Sequence, residues 1–351
     1  YDIHVQSEGI VNGVKWTTVG FIIIFLQLSI LLYYIWTQHA SGEVILAGNL
    51  VAMYQYLGRL SETFFGIAGG YQQVLNWNTK YEAARPIFLA GEEEKSKISA
   101  PETWEKASIY KLNFEYEPGK QTLNDIDLSF SKGDRIALVG ESGSGKSSIL
   151  AVMRGLFEPQ SVSLHLDGQT FKTLSPLFET TTLIPQEPEV FENTIGYNIT
   201  VGIDYAQADV MEAIRLARFD RVLERLPNGL ETDVREKGVT LSGGERQRLA
   251  LARGILAAKN SSIILMDEPT SSVDAHNELV IYENILEHFK DSAVISSIHR
   301  LHLLGKFDQV IVMDQGKIVQ AGTFDDLKNE SGLFQTLWDK YQESSKTEDK
   351  V

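Results

Sequence analysis

With 351 residues the chain has room for about two domains. A net charge of −15 and a pI near 5.0 argue against nucleic acid as a partner, because a phosphate backbone is held by a basic surface. The absence of cysteine excludes disulfides, thiol catalysis and thiolate metal sites, and fits a reducing compartment.

The chain opens on Tyr1 with no signal-peptide pattern, which suggests a start partway through a longer protein. From Trp16 to Gln38 no residue is charged, and Val19–Leu26 and Leu28–Trp36 are almost wholly apolar. About 20 such residues span a bilayer as a helix, and a signal-peptide core is shorter. Trp16 lies at one end and Tyr33, Tyr34 and Trp36 at the other, where aromatic rings favour the interface. After a turn at Ser41-Gly42, a less apolar stretch runs from Val44 to about Leu75, with the helix pattern continuing to about residue 85. Arg59 and Glu62 fall three apart on one face of it, where they form an internal ion pair or line a polar pathway. Gly66-x-x-x-Gly70 would allow close helix approach. Residues 1–90 therefore read as a partial transmembrane domain, with spans at about 16–38 and 44–75. Lys15, Lys80 and Arg85 flank the hairpin, whereas its turn holds only His39 and Glu43. The positive-inside rule then places both ends, and all that follows, on the cytoplasmic side. This describes a multi-pass protein of the lipid bilayer, in a cell inner or plasma membrane. Two spans cannot enclose a pathway alone. Pro86 is expected to break the helix, and the charged run from Gly91 reads as part of a linker over 91–107.

From about residue 108 short β-type runs begin: Ser108–Tyr116, then Leu123–Phe130 with Ile126, Leu128 and Phe130 alternating. Lys132-Gly133-Asp134 turns the chain into a buried strand, Ile136–Val139. That strand empties into Gly140-Glu141-Ser142-Gly143-Ser144-Gly145-Lys146-Ser147-Ser148, and a helix pattern follows to Met153. Glycines suit such a turn because it needs backbone angles that a Cβ penalises. Successive N–H groups and the helix start can then point at phosphate oxygens. Lys146 reaches the β- and γ-phosphates, and the Ser147 hydroxyl can ligate Mg²⁺. Later runs at Val162–Leu166, Thr182–Ile184, Ile263–Met266, Val294–Ser297 and Val310–Met313 alternate with helical patterns. The alternation predicts an α/β domain with a largely parallel core sheet and an antiparallel part near its start.

Two further elements carry chemistry. In Leu241-Ser242-Gly243-Gly244-Glu245-Arg246-Gln247-Arg248, Ser242 and Glu245 have capping-box spacing. The two glycines inside that box bare the first-turn N–H groups, which makes a second anion site. In Ile263-Ile264-Leu265-Met266-Asp267-Glu268, the apolar run suits a strand covered on both faces. Asp267 at its end can hold Mg²⁺, and Glu268 can polarise an attacking water.

This order of motifs resembles the nucleotide-binding domain of ATP-binding cassette transporters. With the hairpin, the chain is similar to the C-terminal portion of an exporter-type half-transporter: the last two of six spans, a cassette over 108–342 and a polar tail over 343–351. The resemblance implies a P-loop NTPase cassette with a parallel core sheet, an antiparallel β subdomain and a helical signature subdomain. It further implies that Tyr116 stacks on adenine, that Gly140 to Ser148 bind ATP phosphates, and that Gln186 touches Mg²⁺ and water. Ser147, Gln186 and Asp267 would serve the metal, with Glu268 as general base and His299 on the γ-phosphate. Ser271-Ser272-Val273-Asp274 occupies the place of an inter-subunit loop, and Thr232–Gly238 that of a short coupling stretch. Ser242, Gly243 and Gly244 would bind the ATP of a second subunit, and the completeness of both half-sites favours a homodimer over a heterodimer. The implied activity is ATP hydrolysis coupled to export of a substrate. The rival is a non-transporting cassette ATPase, either a membrane regulator or a soluble mechanical ATPase.

Overall fold

The computed structural model describes residues 2–89, 104–187, 189–234 and 241–348. They fall into two compact units, a helical hairpin and a cassette. Most of the expected linker, residues 235–238 of the coupling stretch and the last residues of the polar tail lie outside the described residues.

The hairpin consists of α1 (Asp2–Ala40) and α2 (Ala47–Leu89). Val14–Ala40, with a mean hydropathy of 2.2 over its most apolar 18 residues, is the one helical stretch among the described residues long and apolar enough to cross a bilayer. At 1.5 Å per residue α2 is about 65 Å long, so length does not limit it; polar residues dilute its apolar character. Phe21, Phe25 and Leu32 point outward, as a lipid-facing surface requires. Pro86 does not stop α2, which continues three residues further to Leu89. A proline removes one hydrogen bond near the last turn and leaves the preceding turns intact. Arg59 and Glu62 are both exposed, and among the described residues no ion pair joins them. The polar contacts between the helices are elsewhere: the Gln27 amide donates to the Ser61 hydroxyl at 2.9 Å and to the Leu57 carbonyl at 3.4 Å, and the Asn49 amide donates to the Tyr34 hydroxyl at 3.1 Å. Nothing lies within 4 Å of the space a Cβ would take at Gly66 or Gly70, so the hairpin does not use them for close approach.

The cassette has two sheets. Strands β1 (Lys106–Glu117), β2 (Lys120–Ser131), β4 (Ser161–Leu166) and β5 (Gln169–Phe171) form an antiparallel sheet in the order β2-β1-β4-β5. Strands β3 (Arg135–Val139), β6 (Thr181–Ile184), β7 (Ile263–Asp267), β8 (Ala293–Ser297), β9 (Gln309–Asp314) and β10 (Lys317–Gly322) form the other, in the order β10-β9-β3-β8-β7-β6. All pairs in it are parallel except the β9–β10 hairpin. Helices α3 (Lys146–Arg154), α4 (Ser175–Phe178), α5 (Ile195–Thr200), α6 (Gln207–Leu216), α7 (Asp220–Arg225), α8 (Gly243–Ala257), α9 (Ala275–His288), α10 (Phe324–Asn329) and α11 (Leu333–Glu348) complete the domain.

The two-residue period of a strand sorts its side chains into two cores. Ile136 and Leu138 of β3, with Ile263 and Leu265 of β7, join α3 and the antiparallel sheet around Trp104, Phe130 and Leu150. Ala137, Val139, Ile264 and Met266 face the other way, onto α6, α8 and α9 around Phe219, Leu249 and Ile285. Both faces of β3 and β7 are covered, so a one-residue slip would exchange these side chains between the two cores and mispack both together. The expected end of the cassette at residue 342 falls inside α11. Leu333, Leu337, Trp338 and Tyr341 of that helix pack on the second core, and its sequence holds no breaker to stop it there.

Asp167, in the turn before β5, pins the start of β1. Its carboxylate accepts the N–H groups of Glu105 and Lys106, both at 2.8 Å, and these bonds hold it below the usual carboxylate range. A depressed carboxylate stabilises the fold above its ordinary value and loses that contribution as the pH falls through the lowered one. Asp167→Asn should therefore lower Tm at pH 7, with the difference from wild type closing as the pH drops below 3.8, followed by circular dichroism. A gap unchanged between pH 7 and pH 3 would remove the charged contact from the account.

Candidate active site

Strand β3 sits at the middle of the parallel sheet, between β8 and β9. Its carboxyl end delivers Gly140 at the centre of the sheet rim. Strand β8 lies between β3 and β7, so Ser297 and His299 emerge between the glycine-rich loop and Asp267-Glu268.

The loop is shaped by backbone contact. Gly140 has φ +155, and a Cβ there would lie 2.2 Å from the Met313 carbonyl oxygen. Gly145, at φ +107, precedes α3 directly, and Ser144, Lys146 and Ser148 are buried beside it. The Lys146 ammonium donates to the carbonyls of Gly140 at 2.8 Å and Glu141 at 3.1 Å. Burial lowers the Lys146 pKa, and the nearby charges of Glu268 and Asp267 oppose that shift. Glu141 and Ser147 are exposed, and the Glu141 carboxylate is held below its usual range by Lys340 of α11 at 2.8 Å.

Across the rim one hydroxyl organises both acids. Ser297 Oγ donates to Asp267 Oδ1 at 2.7 Å and accepts the Glu268 N–H at 2.9 Å. Glu268 has φ +42, a left-handed geometry that costs a non-glycine residue about 1 kcal/mol or more. Its Oε2 accepts from the Gln186 amide at 3.0 Å. Glu268, Ser297 and His299 share a cavity of about 260 Å³ with Thr270 and Glu278. Tyr116 is half exposed, donates to Ser148 Oγ at 3.3 Å, and meets Phe114 and Phe157 edge to face.

The cap of α8 forms as its spacing predicts. Ser242 accepts the Glu245 N–H, and the Glu245 carboxylate accepts the Ser242 N–H at 2.8 Å. Such a cap contributes about 1 kcal/mol. Glu245 also pairs with Arg225 of α7. Ser242 and Gly243 are exposed.

Lys146, Gln186, Asp267, Glu268 and the loop Gly140–Ser148 thus converge on one rim, whereas Ser242–Gly244 start a different helix. Several contacts at this rim have no local signature. Ser297 is one. Buried Glu278 is another: it accepts from Thr270 at 2.7 Å and Arg300 at 3.0 Å. His302, three residues after His299, shares a hydrogen bond with Tyr341 of α11 at 2.9 Å. The donors Ser147, Gln186 and Asp267 offer hydroxyl, amide and carboxylate oxygens, a hard set suited to a hydrated Mg²⁺ beside phosphate. The cradle at Gly140, which a Cβ would fill, suits close approach of phosphate to backbone N–H groups.

Residues 123–271 match the family described as ABC transporter. The chain is 38% identical over 229 residues to the mitochondrial iron-sulfur clusters transporter ABCB7 of Oryzias latipes, covering 64% of this chain and 30% of that protein. It is 30% identical over 344 residues to the ATP-dependent lipid A-core flippase of Haemophilus ducreyi, covering 95% of this chain and 57% of the flippase. A solved bacterial Atm1-family ABC exporter with ATP bound superposes with a TM-score of 0.66 at 29% identity, over 92% of this chain and 56% of the exporter. The chain therefore spans between about a third and just over half of these relatives.

Alanine at Gly140 has no room beside Met313 and is strained at that φ. Gly140→Ala should weaken binding of a fluorescent ATP analogue at least about tenfold. Unchanged affinity would show that the loop tolerates a Cβ.

Proposed function

The cassette of this chain is an ABC transporter nucleotide-binding domain, and on that premise we propose that the protein hydrolyses ATP to move a substrate out across a membrane. The observation that carries the reading is the placement of the phosphate loop and the Asp267-Glu268 pair on neighbouring strand ends, with β8 between them. The hairpin supports the membrane part, through the apolar stretch Val14–Ala40.

In this reading Tyr116 stacks on the adenine, and the N–H groups of Gly140–Ser148 hold the phosphates. Lys146 leaves its loop carbonyls for the β- and γ-phosphates. Ser147, Gln186 and Asp267 would hold Mg²⁺, which would supply positive charge to the phosphoryl oxygens. Glu268 orients the attacking water and accepts its proton, and the Gln186 amide at 3.0 Å fixes that carboxylate. His299 donates to the γ-phosphate. Ser242, Gly243 and Gly244 meet the ATP of a second subunit, and a homodimer with two competent sites is the simplest assembly that uses both half-sites of one chain. Closure of the paired cassettes is relayed to the membrane helices, with the cassettes on the cytoplasmic side of a cell membrane. Residues 1–90 act as part of the transmembrane domain and residues 108–342 as the cassette.

Glu268→Gln should abolish phosphate release while retaining ATP binding, and Lys146→Ala should weaken both. The two are separated by a binding isotherm run beside a phosphate assay. Substantial residual hydrolysis in Glu268→Gln would take that residue out of the role of base.

A further inference from the structure

The Gln247 side chain is 3% exposed, on the second turn of α8, and uses both ends of its amide. Oε1 accepts the Ser272 N–H at 2.6 Å. Nε2 donates to Ser271 Oγ at 2.9 Å and lies 3.4 Å from the Gln186 carbonyl and 3.5 Å from the Glu268 carbonyl. The start of α8 is packed on the same turn, since a Cβ at Gly244 would lie 2.7 Å from the Ser272 carbonyl oxygen. One side chain thus joins three segments distant in sequence: the helix beginning at Gly243, the backbone at Gln186, and the turn that carries Glu268.

We infer that Gln247 is a positioning residue for hydrolysis. Its carboxamide fixes the backbone of Glu268 and of Ser271-Ser272 relative to α8, so that a displacement of α8 reaches the general base of the same chain. This rests on the proposed ATPase reading, in which the α8 start meets the ATP of the other subunit. Gln247 would then carry the state of one site to the other. The amide is suited to the task because Ser272 N–H needs an acceptor and the two carbonyls need a donor. A hydrophobic side chain of equal length supplies neither.

The test uses the whole membrane protein with ATP, comparing wild type, Glu268→Gln, Gln247→Met and Gln247→Glu. Misplacing a reacting group by about 1 Å costs about 100-fold in rate, so Gln247→Met should lower kcat about 10- to 100-fold. KM for ATP and Tm should stay near wild type, and the Hill coefficient for ATP should fall towards 1. Gln247→Glu keeps an acceptor for the Ser272 N–H but loses the donor to Ser271, Gln186 and Glu268, so its kcat should fall with that of Gln247→Met while KM for ATP stays near wild type. A kcat for Gln247→Met within twofold of wild type, or a loss matched by a fall in folded protein, would overturn the inference, as would a kcat for Gln247→Glu within twofold of wild type. Wild-type turnover that is lost in Glu268→Gln keeps the ATPase reading standing whichever way Gln247 falls.

Discussion

Three glycines with left-handed backbone, Gly140, Gly145 and Gly316, let neighbouring segments approach the phosphate loop more closely than a side chain permits. A Cβ on Gly140 would strike the Met313 carbonyl, and one on Gly316 would lie 2.2 Å from the Thr122 carbonyl. A Cβ on Gly145 would lie 3.0 Å from Leu123, 3.4 Å from Met313 and 3.5 Å from Gly316. The β9–β10 hairpin is thereby wedged between the loop and the start of β2, and the Asn124 N–H donates to the Gly316 carbonyl at 2.8 Å. The loop's N–H groups are aimed by this backbone packing, and the antiparallel sheet is fastened to the central sheet at the same point. The fold and the binding surface share one constraint.

The second organising contact is polar and buried. Ser297 ends the central strand β8 with no exposed surface, and its hydroxyl satisfies an Asp267 oxygen and the Glu268 N–H together. An unsatisfied buried group costs about 1–3 kcal/mol, so the bonds are obligatory once the strand is covered. The bond from its N–H ties Glu268 down in its left-handed conformation, and its carboxylate meets the Gln186 amide. Strain at one residue is offset by a hydroxyl 29 positions later in the chain.

What could be read in advance follows from this. The loop, the apolar core strands and the Ser242–Glu245 cap depend on residues within a few positions of one another, and those local patterns fixed their conformation. Ser297, Gln247 and Glu278 work through partners between 8 and 61 positions away. A serine in an apolar strand, or a glutamine in a charged helix start, carries no local sign of such partners. In the hairpin, Arg59 and Glu62 drew attention by their charge at helical spacing, but the interhelical hydrogen bonds among the described residues belong to Gln27 with Ser61, 34 positions apart, and to Asn49 with Tyr34, 15 apart. Helical spacing brings two residues to one face without making them bond. Pro86 misled for the reverse reason: its effect is confined to one turn, and α2 had few residues left to lose.

Helix α8 explains how a single element can serve two places. Gly243 and Gln247 are four residues apart and so lie one turn above the other on the same side of the helix. The first is exposed at the helix start, and the second is buried against the Glu268 turn. A helix is stiff along its axis, so a shift at Gly243 is delivered undiminished at Gln247, 6 Å or so away at about 1.5 Å per residue. The receiving turn can follow only if its contacts with α8 hold. The 2.6 Å bond from Ser272 and the bare face of Gly244 against that residue's carbonyl give the turn no slack. A side chain at Gly244 would act as a spacer and a longer bond at Gln247 as a hinge, and either would let α8 move while Glu268 stayed behind.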